Sequence, residues 1–386
     1  MTLSKIRLPI ILFLWSYCSI ALFYDFRILD ARGLISGFSI SNFFIVWAAL
    51  LLPFISYFIT KLPNDRRLSS FYILYFFYIT LSLFVGLLRS NPMIDVVSDL
   101  YKSLFILAGL GLYNITKHNT VYFYGLVTKI LLVFSILRLG VFIYFGTSFN
   151  QLYYGTVYDT LLIGFSLVYI ASMKIRDTDS PFKRKLMGAL AAALVLLGQK
   201  KLVLVSLLVY IISLFRNIWG VILGFIGIFV VSIFYQEIIL FLEGTRLRTL
   251  LNYNDLLYAE AQRVEEIQTS FAHWTRSWVS IIFGDGFGTN IKVYSYKEGY
   301  VIDLHSIHNT AIVTALRSGI TGLLLLAVLA WQGLRTLLFN PEKRLVAAII
   351  VAAFVASQFS YTFMDEVFVG YIFAQLKLGG AKIAQP

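Results

Sequence analysis

The chain has 386 residues, of which 59% are hydrophobic, 17% aromatic and 13% charged, and its mean hydropathy is +0.80. A soluble domain carries roughly 25% charged residues, so this composition cannot cover a water-facing surface. It excludes a soluble enzyme, a nucleic-acid-binding domain and a disordered regulator, and the net charge of +12 is read first as a topology signal.

Apolar runs of about 18 residues or more recur along the whole chain, long enough to cross a bilayer as helices. In order they predict helices over 8–24, 40–60, 70–88, 101–116, 121–146, 157–173, 186–199, 202–215, 217–242, 309–338, 345–363 and 367–378. The fold class is therefore an all-α polytopic membrane protein of about 12 transmembrane helices. Three regions follow: spans over 1–242, one large loop over 243–308, and spans over 309–386. The first run follows Lys5 and Arg7 and lacks a small-residue cleavage site, so it is read as a retained helix. A single cysteine, Cys18, provides no intrachain disulfide framework.

Lys5, Arg7, Lys61, Arg66, Arg67, the run Lys183-Arg184-Lys185, Lys343 and Arg344 all fall on the side of the N-terminus. By the positive-inside rule both ends are cytoplasmic and the large loop lies outside. Residues 186–215 read as a hairpin turning at Gly198-Gln199-Lys200-Lys201. One continuous helix would instead bury both lysines near mid-bilayer and carry Lys343 and Arg344 outside. The hairpin arms span only about 21 Å, so the tip should form the floor of a cavity opening outward.

Charges at membrane depth are functional hypotheses by default. Arg138 lies about 12 Å from the outer end of its predicted helix. Lys200 and Lys201 crown the hairpin, Arg317 lies about two turns inside the helix after the loop, and Arg89 and Lys102 flank a short outer loop. Either these cations snorkel or pair with Glu237, Asp365 or Glu366, or as a group they meet a polyanion such as a lipid diphosphate. Lys129 lies in the inner half of a span.

Within the loop, residues 256–282 have helix-compatible apolar spacing and suit a helix lying over the membrane. That stretch carries Arg263, Glu265, Glu266, His273, Trp274, Arg276 and Trp278. Interleaved Arg and Trp serve sugar stacking or phosphate contact, and equally an interfacial anchor. The run Phe283-Gly-Asp-Gly-Phe-Gly-Thr-Asn290 follows no predicted strand and faces away from the cytoplasm, so it reads as a turn beside a ligand or a loop needing positive φ.

His305-Ser-Ile-His308-Asn309 ends the loop. The pair serves either capping and hydrogen bonding or base and substrate contact. No third ligand has metal spacing, so no metal is expected. On an ideal helix Arg317 lies about 180° from His308, and the two share a site only if the helix begins after His308 or the chain bends. Asp177-Thr-Asp179 mimics a metal-holding carboxylate pattern but lies in a short cytoplasmic loop with no soluble domain. Asp365, Glu366, Asp25 and Asp30 are further candidates to supply or orient a base.

The glycine turn Gly284-Asp-Gly-Phe-Gly288, the pair His308-Asn309, and Arg317-Ser-Gly319-Ile-Thr-Gly322 entering a long apolar helix resemble the O-antigen polymerase/ligase superfamily. The basic turn at Lys200-Lys201 and the late large loop also resemble it. Lys stands at the hairpin where the family has Arg, and Arg317 where an acid is common. The resemblance implies a GT-C-like inner-membrane glycosyltransferase that polymerises undecaprenyl-diphosphate-linked oligosaccharide repeats, with no cofactor. It implies His308 as base or acceptor-orienting group. Arg138, Lys200, Lys201, Arg276 and Arg317 become diphosphate candidates, and Arg263 and Glu265 contact sugar or brace the loop. Its partners would be the lipid-linked oligosaccharide, membrane lipid and a chain-length regulator protein, with no nucleic acid. Three rivals stand beside it: a ligase passing the same glycan to lipopolysaccharide core, a lipid-linked oligosaccharide transporter or flippase, and a non-catalytic partner of a polysaccharide export complex.

Overall fold

The computed structural model describes residues 8–19, 40–144, 253–296, 299–305, 309–340, 343–357 and 367–379. They are mostly helical. In chain order they form α1 (Leu8–Ser19), α2 (Ile40–Ile59), α3 (Arg66–Leu88), α4 (Met93–Thr116) and α5 (Thr120–Tyr144). The loop region supplies α6 (Tyr253–Thr275), α7 (Trp278–Phe283), β1 (Ile291–Ser295) and β2 (Tyr300–Leu304). Then come α8 (Thr310–Phe339), α9 (Arg344–Ser357) and α10 (Val367–Leu378). Among the described residues two helices, α3 and α8, are long and apolar enough to cross a membrane, with mean hydropathies of 2.1 and 2.0 over 18-residue windows. The helices expected over 157–242, Lys200 and Lys201 among them, lie outside the described residues, as do Asp25, Asp30, Asp177, Asp179, Glu237, Asp365, Glu366 and His308.

The chain divides into two compact units. In the first, described over 8–19, 40–62 and 111–144, Phe13 and Phe58 pack edge to face at 5.0 Å between ring centroids. The Trp47 indole donates to the Ser16 carbonyl at 2.6 Å, which satisfies its one polar atom on a buried face. Arg138 falls on α5, but its side chain is not among the described residues.

The second unit holds residues 63–110 and the described chain from 253 onward. Asp65 caps α3 by accepting from the Arg67 amide at 2.9 Å. Gly109 of α4 and Gly370 of α10 press against the backbones of Val367 and Ile106, where any Cβ would collide with a carbonyl oxygen. Small residues at a helix crossing let backbones approach closely, which is how helices bind one another where burial of apolar surface gives no net drive.

Three departures from the sequence expectation shape the site, two of them in the loop. The single helix expected over 256–282 is two helices, because Ser277 leaves the helical conformation (φ −153°) and caps α7 by accepting from the Ser280 amide at 3.1 Å. The strands over Ile291–Ser295 and Tyr300–Leu304 form an antiparallel hairpin pairing Ile291 with Leu304 and Ser295 with Tyr300. Its first strand alternates buried and exposed residues; Ile291 and Val293 pack on Val313 and Leu316 at the start of α8. The helix expected from 101 begins at Met93, which places Asp95 and Asp99 inside it.

The glycine turn is a structural wedge. Gly284, Gly286 and Gly288 all have positive φ. A Cβ on Gly286 would lie 2.0 Å from the Gly86 amide nitrogen, so the turn runs directly against the α3 backbone. Phe287 is fully buried, edge-on to Tyr78 at 5.9 Å, and its amide donates to the Ser82 carbonyl at 2.8 Å. On the other side α8 is interrupted at Gly319 (φ 59°, ψ −142°). The carbonyls that an unbroken helix would offer to residues 320 and 321 accept instead from the turn: Asp285 N to Leu316 O at 2.5 Å and Gly286 N to Arg317 O at 3.1 Å. Phe287→Ala should cost about 3–5 kcal/mol and lower the melting temperature of the detergent-solubilised protein clearly. An unchanged melting curve would show that the ring is not the wedge's anchor.

Candidate functional site

Two carboxylates organise one end of the second unit. Asp99, with no exposed surface, faces the loop from the second turn of α4. Its Oδ1 takes Arg317 Nη2 at 2.6 Å and lies 3.1 Å from His305 Nε2; its Oδ2 accepts the Gly288 amide at 2.9 Å. Asp95, one turn earlier on the same face, accepts from Asn290 Nδ2 at 3.1 Å. That contact turns Asn290 Oδ1 toward His305 Nδ1, 3.2 Å away. With acceptors on both sides, His305 is a clamp between α4 and the hairpin; neither ring nitrogen faces open space as a base would.

The second carboxylate is Asp285 in the glycine turn, also buried. Its Oδ1 meets Arg89 Nη1 at 2.8 Å, Arg276 Nη2 at 2.9 Å and the Ser280 hydroxyl at 3.2 Å, while His273 Nε2 lies 2.9 Å from Oδ2. Arg276 Nη1 also lies 3.0 Å from His273 Nε2. Asn91 braces the same turn by donating to the carbonyls of Asp285 and Phe287 at 2.9 and 2.8 Å. Two guanidiniums share one carboxylate here, and Arg276 keeps 42% of its side chain exposed. The cluster therefore carries surplus positive charge toward its open side.

Burial opposes the charge on Asp285, but the His273 imidazole and the Arg276 and Arg89 guanidiniums outweigh it and hold its carboxyl below the usual range. A carboxyl lowered on folding stabilises fully above about pH 4, and that stabilisation is lost as pH falls through the lower folded value. Peptic cleavage in the 253–296 region should therefore accelerate as the pH falls below about 4, and Asp285→Asn should flatten that pH dependence. Equal acid sensitivity in Asp285→Asn would remove Asp285 as the cause.

Of the residues singled out from the sequence, the structure brings Arg276 to the Asp285 cluster and Arg317 to Asp99. Arg317 is buried, with 5% exposure, so its charge is directed inward at the carboxylate. Arg263 is exposed on α6, and Glu265 accepts from Thr269 within the same helix at 3.3 Å. Helix α8 begins at Thr310, capped by Asn309, whose side chain accepts from the Ile312 amide at 3.0 Å. The helix thus starts after His308, which meets one condition for His308 and Arg317 to share a site.

Sequence reasoning passed over Asp99 and Asp95, and took Asp285 and Asn290 only as part of a glycine run. The available signal was the spacing of Asp95 and Asp99 ahead of an apolar run: one turn apart, they share a face if the helix starts early. Comparison with protein-family models and with curated proteins finds no match for this chain.

Proposed function

We propose that this chain is an inner-membrane glycosyltransferase that polymerises undecaprenyl-diphosphate-linked oligosaccharide repeats into a surface polysaccharide such as O-antigen. It would have about twelve spans in a GT-C-like arrangement, cytoplasmic termini and a periplasmic loop over 243–308. The observation that carries the reading is the cation surplus at Asp285: Arg89, Arg276 and His273 converge on one buried carboxylate at the end of α3. Such a set matches a lipid diphosphate, an anion held at the membrane surface.

The acceptor sugar hydroxyl attacks the anomeric carbon of the growing glycan. Its proton passes to His308, the carbon–oxygen bond to the diphosphate breaks, and the electron pair leaves with the lipid diphosphate. Fixed guanidiniums stabilise the charge developing on that leaving group without reorganising. Arg276 and Arg89 take this role; Arg317, paired to Asp99, fixes the wall behind them. Lys200, Lys201 and Arg138 remain proposed contacts to the same diphosphate, and Arg263 and Glu265 to the sugar.

Incubating the purified protein with a defined lipid-linked repeat tests the proposal. A ladder of products spaced by one repeat supports it. No product with the repeat alone, but transfer once lipopolysaccharide core is added, overturns it in favour of a ligase. Transbilayer movement of the intact lipid without bond formation overturns it in favour of a transporter. Arg276→Ala should reduce turnover about 10- to 100-fold, the worth of a charge-assisted contact of about 1.5–3 kcal/mol, and Arg276→Lys should retain part of it.

A further inference from the structure

Helix α7 turns Ser280 inward with Ile281 half-buried beside it, and its exposed face is wholly apolar. Ser280 is buried inside the Asp285 cluster. Trp278, Val279, Ile282 and Phe283 are exposed by 80%, 58%, 44% and 40%. On a helix these four fall within an arc of about 140°, with no charged side chain among them. By contrast the exposed residues of α6 mix Arg263 and Gln268 with Val264 and Phe271, as a water-washed face does.

The apolar arc of α7 is continuous with that of α8. Gly319 lies against the carbonyls of Ile281 and Ile282, so close that a Cβ there would come within 2.4 Å. The next residue, Ile320, opens an exposed stripe that runs through Leu324, Val328, Trp331 and Leu338 at helical spacing. That stripe is on one of the two helices that, among the described residues, are long and apolar enough to cross a membrane. At the other edge Arg276 stands just before α7 and Arg89 just after the exposed Leu87 and Leu88 of α3. Guanidiniums beside an apolar boundary, with Trp at the margin, are the residue order found at the headgroup level of a bilayer.

We infer that α7 is immersed in the outer leaflet, its Trp278–Phe283 face in contact with lipid acyl chains, and that it holds the Asp285 cluster at headgroup depth. The inference rests on the membrane-spanning reading of α8 and deepens the proposed function: a diphosphate on a lipid carrier would meet Arg89 and Arg276 without leaving the membrane. The occupant is lipid because the exposed apolar face of α7 lies against Gly319 of α8, where the exposed apolar stripe of a helix long enough to cross a membrane begins. A protein partner is the alternative that the measurement below separates.

The test is depth measurement by spin label in the full chain. In a Cys18→Ala background, single cysteines are placed by Trp278→Cys, Ile282→Cys, Leu324→Cys and Lys292→Cys, labelled with a nitroxide, and reconstituted in vesicles of phosphatidylethanolamine and phosphatidylglycerol. Oxygen, which partitions into lipid, and a water-soluble nickel chelate are compared as relaxing agents. The expected result is oxygen-dominated relaxation at 278 and 282, as at 324, and nickel-dominated relaxation at 292. Nickel-dominated relaxation at 278 and 282 with oxygen at 324 would overturn the inference while leaving the membrane-spanning reading in place. Nickel at 324 as well would overturn both. Shielding of 278 and 282 from both agents would identify a protein partner and overturn the lipid assignment. Ile282→Cys guards against a fold defect specific to losing the indole.

Discussion

Asp99→Asn should destabilise the protein by about 3–5 kcal/mol, the cost of leaving a buried charge without its counter-ion. The charge stranded is Arg317, 5% exposed and 2.6 Å from the Asp99 carboxylate. The amide would also weaken the hold on His305 and on the Gly288 amide, so the hairpin and the glycine turn should loosen together. Thermal unfolding in detergent measures the loss, and hydrogen exchange over 284–305 locates it. Removing both charges gives the sharper result. Asp99→Leu combined with Arg317→Met should recover a large part of the stability lost by Asp99→Leu alone, because replacing a buried pair with apolar groups is far cheaper than breaking it. If the double variant is simply the sum of the two singles, the Asp99–Arg317 pair does not organise this region. Activity should not return with stability, since the proposed function needs the wall that Arg317 fixes.

Why that pair was hidden in the sequence, while other features were plain, has a physical explanation. Helices such as α3 and α8 announce themselves because predominantly apolar stretches of 23 and 30 residues have no other stable solution in a bilayer. Their expected limits, 70–88 and 309–338, fall within a few residues of Arg66–Leu88 and Thr310–Phe339. The glycine turn was legible as a place of positive φ, which Gly284, Gly286 and Gly288 all adopt. What it touches was not, since contact with Gly86 joins residues two hundred positions apart. Asp99 was lost for a related reason. Charges argue against a span, so hydropathy alone puts the helix start beyond them; in the fold Arg317 and His305 neutralise that carboxylate from distant parts of the chain. The hairpin strands are five residues each, and Ile-Lys-Val-Tyr-Ser alternates too briefly to stand out against helix expectations. Among the candidate cations, residue type alone could not separate Arg317, turned inward, from Arg276, turned partly outward.

The same logic distinguishes the two histidines that end the loop, and it yields the largest expected effect on turnover. His305 is held between Asp99 and Asn290, so His305→Ala should lower stability and shift exchange in the hairpin, with activity falling as a consequence. His308 is bonded directly to Asn309, the cap of α8, at the point where chain direction is fixed by an accepted hydrogen bond from Ile312. If His308 is the base, His308→Ala should lower the rate of repeat addition by about 10²–10⁴-fold, the usual contribution of a positioned proton acceptor, with the melting temperature unchanged. The rate-versus-pH profile should change shape in that variant, because the group titrating on the acid limb is gone, whereas His305→Ala should scale the whole profile down without reshaping it. Repeat addition at the parental rate in His308→Ala would refute the base assignment. A stability loss in His308→Ala equal to that of His305→Ala would instead make both residues parts of one clamp, and the proton acceptor would have to be sought among the groups that face the open side of the Asp285 cluster.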